Sequence, residues 1–392
     1  MATRFSIVIP TRRRPDTLRH ALATALAVEW DDLQIVVQNN GNDPETAAIV
    51  RAGGSPRVHL AGTDDVLPMS DNWERALAAA TGDYVTVLGD DDGILPDACW
   101  FADMAIAGTG APVLTWRPHY YWWPDTIVVP NRNRLFVTLP RSEEGGEVLH
   151  SIPTLEAFYR GALPYSELPM IYSAFVHRSV IEKVRAKAGR YFATLSPDVF
   201  SGIANTWAVD RAVRVDRPLS VTGTSRHSIG ISGTFRSFRG AGSAIDEFAR
   251  EAPFAGWTAP ELGEMTTLAA GIANEQLLAR RILFPDDPRL VVRMEAVLAR
   301  MAANINMDPA SYDDTLADMR ALAGKHGIDL STIPVPPRAP APRASIPGPL
   351  RDESGHVEKI IVDGDRARIA NIADAVRLVD AMMFDVRAAR RS

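Results

Sequence analysis

Within the first ninety residues, short apolar runs alternate four times with segments of helical spacing, and this alternation limits the fold more than any other feature. "FSIVI" at 5–9 is followed by Leu18, Ala21, Leu22, Ala25 and Leu26 at helical intervals behind Pro15 and Asp16. "LQIVVQ" at 33–38 precedes a helix expected from Pro44, "RVHLA" at 57–61 precedes "DNWERALAAA", and "DYVTVL" closes the series at 83–88. Strands separated by helices imply right-handed crossovers and a mostly parallel sheet covered on both faces. The fold class expected is therefore α/β, a Rossmann-like sheet flanked by helices.

In such sheets ligands bind beyond the carboxyl ends of the strands. Those ends read "PTRRRPD", "QNNGND" and "GDDDG". No glycine precedes Gly41, so the first turn is not a G-x-G-x-x-G dinucleotide fingerprint, and no G-x-x-x-x-G-K-[ST] loop is present. Three aspartates in a row after a strand admit two readings. Asp favours turns and helix starts, with Gly93 and Pro96 punctuating the chain downstream; alternatively, a hard divalent cation offsets the repulsion among Asp90, Asp91 and Asp92.

Composition narrows the classes. A net charge of -6 argues against a general nucleic-acid binder, which would collect Lys and Arg on one face. With 46% hydrophobic and 23% charged residues the chain is neither disordered nor fibrous. Cys99 is the single cysteine, so neither an internal disulfide nor a cysteine-based zinc site is available, which fits a reducing cytoplasm. The apolar run before Pro10 is too short for a signal peptide, and no stretch approaches a membrane span, so a soluble cytoplasmic protein is expected.

Beyond residue 110 come aromatic, strand-like segments such as "TWRPHYYWWPDTIVV", helix candidates at 178–188 and after "SPD" at 196–198, and a mostly helical, alanine-rich stretch at 258–329 with no obvious catalytic cluster. Seven prolines between 334 and 349 favour an extended linker. After them "VEKIIV" and Ile369, Ile372, Ala373, Val376 and Val379 predict a strand and an amphipathic helix that must bury its stripe on its own domain, a second subunit or a partner. The expected organisation is residues 1–240 as one domain with halves 1–110 and 111–240, a helical extension at 241–330, a linker at 331–355, and a strand-helix segment at 356–392. A homodimer through the helical region is compatible with this plan, although no decisive feature demands it.

"FSIVIPTRRRPDTLRHAL", "IVVQNNGND", "SDNWERALAAATGDYVTVLGDDDGILPDA" and "LSPDVFSG" together resemble the family-2 glycosyltransferases of GT-A fold, in their usual order, over roughly residues 4–235. The resemblance implies a nucleotide-diphosphate sugar donor of UDP, GDP or dTDP type, a hydroxyl acceptor on a growing glycan or small molecule, Mn2+ or Mg2+, and inversion at the anomeric carbon. It makes Asp91 the metal ligand of the Asp-x-Asp element, helped by Asp90 and Asp92, with Asp90 also taking nucleotide contacts, because Gly89 stands where the family often has its first Asp. Pro10, Thr11 and Arg14 match positions lining the nucleotide pocket. Asn39 takes the place of an Asp that contacts the base, whereas Asn40 and Asn42 read as turn residues and Arg12 as part of a solvated charge cluster. Asp198 in "LSPDVFSG" matches the catalytic base, in a segment that also obeys ordinary helix-start rules: Ser196 as N-cap, Pro197 at the first helical position, Asp198 in the first turn. His227 lies where relatives place a residue near metal or diphosphate, and a loop histidine without such a role is the alternative. Glu167 and Tyr172 loosely match the acceptor wall. Among the aromatics Trp116, Tyr120, Tyr121, Trp122 and Trp123, Trp116 represents an acceptor platform, against the plainer reading of strand packing. Two other readings stay open: a catalytically silent nucleotide-sugar or glycan-binding protein, and a sugar-phosphate nucleotidyltransferase.

Overall fold

The structure, a computed structural model, describes residues 3–140, 146–238, 258–263, 267–352 and 354–383. Strand β1 (Phe5–Thr11) is buried along its whole length, as a strand covered by helices on both faces must be. It is followed by α1 (Pro15–Leu26), β2 (Leu33–Asn40), α2 (Pro44–Gly53), β3 (Val58–Thr63), α3 (Met69–Ala78) and β4 (Tyr84–Val87). Proline at the first helical position starts α1 and α2, and Asp43 caps α2 by accepting from Thr46 N at 2.8 Å. The four strands pair in parallel in the order β3-β2-β1-β4, so their carboxyl ends share one edge.

A two-residue strand β5 (Gly93–Ile94) and helix α4 (Ala98–Thr109) lead into β6 (Val113–Trp116), β7 (His119–Trp122), β8 (Arg134–Thr138) and β9 (Glu147–His150). Then come α5 (Ser151–Tyr159), β10 (Ala174–His177), α6 (Arg178–Ala188), α7 (Pro197–Ala208), β11 (Arg211–Val215), β12 (Ser220–Thr224) and the short α8 (Ile229–Thr234). Antiparallel β10 joins β4 to β6 and carries the first sheet on to β11 and β9, giving eight strands. Cys99 packs in the apolar cluster beneath this sheet, where burial pushes its thiol up, so it behaves as a small hydrophobe.

The helical extension consists of α9 (Leu268–Leu283), α10 (Met294–Asn304) and α11 (Tyr312–His326). Helix α9 contributes Ala269 and Ala273 to the extension's own cluster, and Ile272, Ala279 and Leu283 to the core around α7. The proline-rich stretch then crosses the surface held at several points. Tyr312 Oη donates to Pro336 O at 2.8 Å, Asn306 bridges Pro337 O and Ala339 N, and Ser345 Oγ donates to Asn131 Oδ1 at 2.7 Å. Part of the stretch expected as linker forms a strand, β13 (Gly348–Arg351).

Strand β14 (Val357–Asp363) pairs antiparallel with β8, so the C-terminal segment extends a second sheet of order β13-β14-β8-β7-β12-β5. Helix α12 (Ile372–Met382) buries Ile372, Ala375, Val376 and Val379 against Leu95, Tyr121, Trp123, Leu135 and Val221. Of the three destinations open to its apolar stripe, it takes its own chain. A Cβ on Gly93 would lie 2.5 Å from Val376 Cγ2, so only glycine admits this helix so close to the strand after the aspartates.

Candidate active site

The aspartate loop sits at the carboxyl edge of β4, beside the end of β1, and its six carboxylate oxygens divide unequally. Asp90 is buried: its Oδ2 accepts from Thr11 Oγ1 at 2.7 Å and its Oδ1 from Arg14 Nη1 at 3.1 Å. Asp92 accepts from the amides of Gly89 at 3.1 Å and Gly223 at 2.7 Å. Asp91 Oδ2 takes three hydrogen bonds, from Ser225 N at 3.2 Å, Ser225 Oγ at 2.7 Å and Ser228 Oγ at 2.8 Å. Asp91 O meanwhile accepts from Trp123 Nε1 at 3.0 Å. Among the described residues, Asp91 Oδ1 is the one oxygen of the six that accepts no hydrogen bond.

Two glycines make this packing possible. A Cβ on Gly223 would fall 1.8 Å from Asp91 O, and one on Gly89 would fall 2.6 Å from Asp92 Oδ2, so a side chain at position 89 cannot coexist with the Asp92 hydrogen bond seen here. Burial raises the Asp90 carboxyl against the opposing pull of Arg14. It raises Asp92 well above the ordinary carboxylate range, with the neighbouring Asp91 charge adding to it.

No three His, Cys, Asp or Glu side chains converge to cage a metal among the described residues. The donor set fits a different kind of site, in which one free carboxylate oxygen is shared with phosphate and water ligands, as Mg2+ commonly binds. Asp91 Oδ1 meets that description. His227 lies on the loop that cradles Asp91, with its amide donating to Ser225 Oγ at 3.2 Å. Its Nε2 accepts from Arg226 Nε at 3.1 Å, which places the proton of a neutral ring on Nδ1. Burial, then Arg14 and Arg226, lower its pKa, so it is neutral at pH 7.

Asp198 stands in the first turn of α7 behind Pro197, although Ser196 at the cap position makes no side-chain capping bond. Burial raises the Asp198 carboxyl, and the Val199 amide and its own amide pull it back. Two half-buried tyrosines, Tyr165 and Tyr172, lie within electrostatic reach of it, and half-buried Tyr120 acts on both. Burial first and Asp198 second push Tyr165 up to about 12, and Tyr172 is raised by burial, then by Asp198, Tyr165, Tyr120 and Asp92. Tyr172 therefore lies within electrostatic reach of both acidic groups.

Other expected residues are committed elsewhere. Pro10 is a buried-strand residue paired with Gln38, next to Thr11. Asn39 uses both ends of its amide on Asp43, donating to its carbonyl at 2.8 Å and accepting from its amide at 3.0 Å, so its side chain closes a turn. Asn42 has φ +48°, the left-handed turn geometry expected of it, while Asn40 ties β2 to Leu67 instead. Trp116 is enclosed in the core, donating to Ser220 Oγ at 2.7 Å, and has no face to offer a sugar. Glu167 is held between Arg117 at 2.8 Å and Arg214 at 2.9 Å, which neutralise it. Sequence reasoning missed Gly223, Ser225 and Ser228, which share the "TGTSRHS" stretch with His227, and the anchoring role of Trp123. It also missed Tyr165 and Glu275; the latter is a carboxylate on the apolar face of an alanine-rich helix, a signal that was readable.

Residues 6–163 match the family model described as Glycosyl transferase family 2. Over that stretch the chain is similar to the family-2 glycosyltransferases. It has the GT-A arrangement that the family implies, a large mixed sheet flanked by helices with aspartates beyond the fourth strand. The matched stretch includes the aspartate loop and stops short of Asp198, the 223–228 loop and the helical extension. Among solved structures, the chain is similar to residues 1–349 of TarS from S. aureus in complex with UDP-GlcNAc, at 12% identity and a TM-score of 0.46, covering 86% of this chain and 98% of that one. It is also similar to the mannosyltransferase PcManGT from Pyrobaculum calidifontis in complex with GDP-Man and Mn2+, at 15% identity and a TM-score of 0.44, covering 83% and 76% respectively. Similarity this loose assigns no ligand. No curated protein sequence matches the chain significantly. No helix among the described residues is long and apolar enough to cross a membrane.

Proposed function

We propose that this domain transfers a sugar from a nucleotide-diphosphate donor to a hydroxyl acceptor, with inversion, using Asp198 as general base. Asp198 accepts the proton of the acceptor hydroxyl, whose oxygen forms a bond to the anomeric carbon as the bond from that carbon to the diphosphate oxygen breaks. The diphosphate leaves with the electron pair. When bound, Mn2+ or Mg2+ neutralises charge developing on that leaving group, and Asp91 Oδ1 would hold it. Arg14 and Thr11 fix Asp90 beside the donor pocket, and neutral His227 borders it. Tyr172 belongs to the acceptor wall, joined by Tyr120 and Tyr165. The single cysteine supports a cytoplasmic location.

The observation that carries this reading is the aspartate loop at the carboxyl edge of β4, where among the described residues Asp91 Oδ1 alone of six carboxylate oxygens accepts no hydrogen bond; the Asp198 and Asp92 charges both raise Tyr172, which supports placing the two groups at one site. A carboxylate without a cationic partner and with its pKa raised by burial favours a proton-accepting role over silent binding. The test is a panel of UDP, GDP and dTDP sugars with Mn2+ or Mg2+, read as nucleotide release. Asp91→Ala is expected to abolish release and weaken nucleotide binding, and Asp198→Ala to abolish release while binding survives. Equal turnover in both variants, or pyrophosphate formed from a nucleoside triphosphate and a sugar phosphate, would overturn the reading.

A further inference from the structure

The segment that delivers Asp198 to the cleft is held from two helices outside it. From α3, Glu74 Oε2 accepts from the amides of Tyr191 and Phe192, both at 3.0 Å, and Ser70 Oγ donates to Thr194 O at 2.6 Å. From α9, Glu275 pairs through Oε2 with Thr194 Oγ1, and through Oε1 accepts from Ser196 N at 3.3 Å and Asn274 Nδ2 at 3.4 Å. We infer that Glu275 is a positioning residue, which fixes the Thr194–Ser196 approach to α7 and with it the direction in which Asp198 meets an acceptor hydroxyl. This rests on the proposed role of Asp198.

Packing alone does not call for an acid at this position. Glu275 is 1% exposed on a helix whose remaining buried residues are mostly alanine, leucine and isoleucine, and a buried carboxylate is costly unless its hydrogen bonds are met. Among the described residues no basic side chain forms an ion pair with it. The charged group acting on it from α7 is Asp198, a like charge; Arg280 follows on its own helix, and Tyr159 of α5 senses both Glu275 and Arg280. Burial first, and Asp198 among the further causes, raise Glu275 to about 8, so it is neutral at pH 7. One oxygen of the neutral acid pairs with Thr194 Oγ1 while the other accepts from Ser196 N. It thereby anchors the loop without setting a second negative charge beside the base.

An amide reproduces that pattern and an alanine does not. In the full chain, nucleotide release from whichever UDP, GDP or dTDP sugar is turned over is measured from pH 5 to 9 for wild type, Glu275→Gln, Glu275→Ala, Thr194→Val and Asp198→Asn. Glu275→Gln is expected to keep kcat within about threefold and to lose the decline of the wild-type enzyme above pH ~8. Glu275→Ala and Thr194→Val are expected to lose about tenfold to a hundredfold in kcat, with donor KM changed by less than about twofold. Wild-type kcat in Glu275→Ala or Thr194→Val overturns the inference, as does a Glu275→Gln variant as slow as the alanine. If the alanine variant fails to fold by circular dichroism, Thr194→Val and Glu275→Gln decide. Full activity in Asp198→Asn refutes the assigned base itself, whereas an inactive Asp198→Asn beside unaffected Glu275 and Thr194 variants sinks only the positioning role.

Discussion

The three aspartates after β4 spend five of their six carboxylate oxygens on donors from the loops after β1 and β4 and around β12, whereas Asp198 accepts only from amides at the start of its own helix and has a second buried acid behind it. Both regions gather acidic groups, and they stabilise them by different means. The loop distributes its charge over amides, hydroxyls and the Arg14 guanidinium and, among the described residues, leaves Asp91 Oδ1 without a hydrogen bond. At α7 the carboxylate stays unpaired while its neighbour Glu275 holds a proton. An arrangement that presents oxygen to a cation needs a rigid cradle, and one that moves a proton needs a carboxylate free of cations with its pKa raised.

The sharpest test of this contrast is Asp198→Asn. It is expected to reduce turnover by roughly 10²–10⁴-fold while donor binding, followed by calorimetry, is unchanged. Because burial raises the Asp198 carboxyl, the acid limb of the wild-type rate profile should lie above the usual carboxylate range, with activity lost as pH falls through it. An acid limb at an ordinary carboxylate pKa would remove the distinction between the two regions.

Ile372→Ala probes the cradle from behind. Ile372 is fully buried in α12 beside Gly93, and its truncation should cost about 2–5 kcal/mol in thermal or denaturant unfolding. The donor KM should rise as the aspartate loop loosens; an unchanged KM in the destabilised variant would separate the C-terminal helix from the site. Gly223→Ala forces a Cβ onto Asp91 O and is expected to cost about 1–3 kcal/mol. Its metal dependence, measured as the Mn2+ concentration giving half-maximal release, should shift upward, while the Asp198 pH limb should not move.

The smallest effect concerns stability and pH. The folded-state pKa of Glu275 is raised to about 8 from 4.5, so its contribution to stability is fully present below pH 4.5 and is lost as pH rises toward 8. Glu275→Gln has no such proton to lose. Its melting temperature relative to wild type should therefore climb steadily between pH 5 and 8, and a constant difference would show that Glu275 ionises normally in the folded chain.

Residue patterns alone made the first ninety residues readable. The strands expected at 5–9, 33–38, 57–61 and 83–88 lie within one or two residues of β1 to β4, because fully buried strands must be continuous apolar runs and their crossovers must be helical. The aspartates could be singled out because their local order matches a known family over residues 6–163, whereas Asp198 was singled out by a resemblance outside that stretch. Asn39, Trp116 and Glu167 show where that order stops being informative: the chemical type fits a binding role, and a partner distant in sequence or around a turn claims the side chain first.

Sequence by itself determined the parallel half-sheet, the placing of acidic residues at its carboxyl edge and the amphipathic stripe of the final helix, since each follows from local periodicity and charge. Tertiary structure alone decided which oxygen of which aspartate stays free, that the last helix backs the aspartate loop, and that an acid from the helical extension stands behind Asp198. Those outcomes depend on contacts between residues some 80 to more than 280 positions apart, whose distances are set by packing and leave no mark on neighbouring residues.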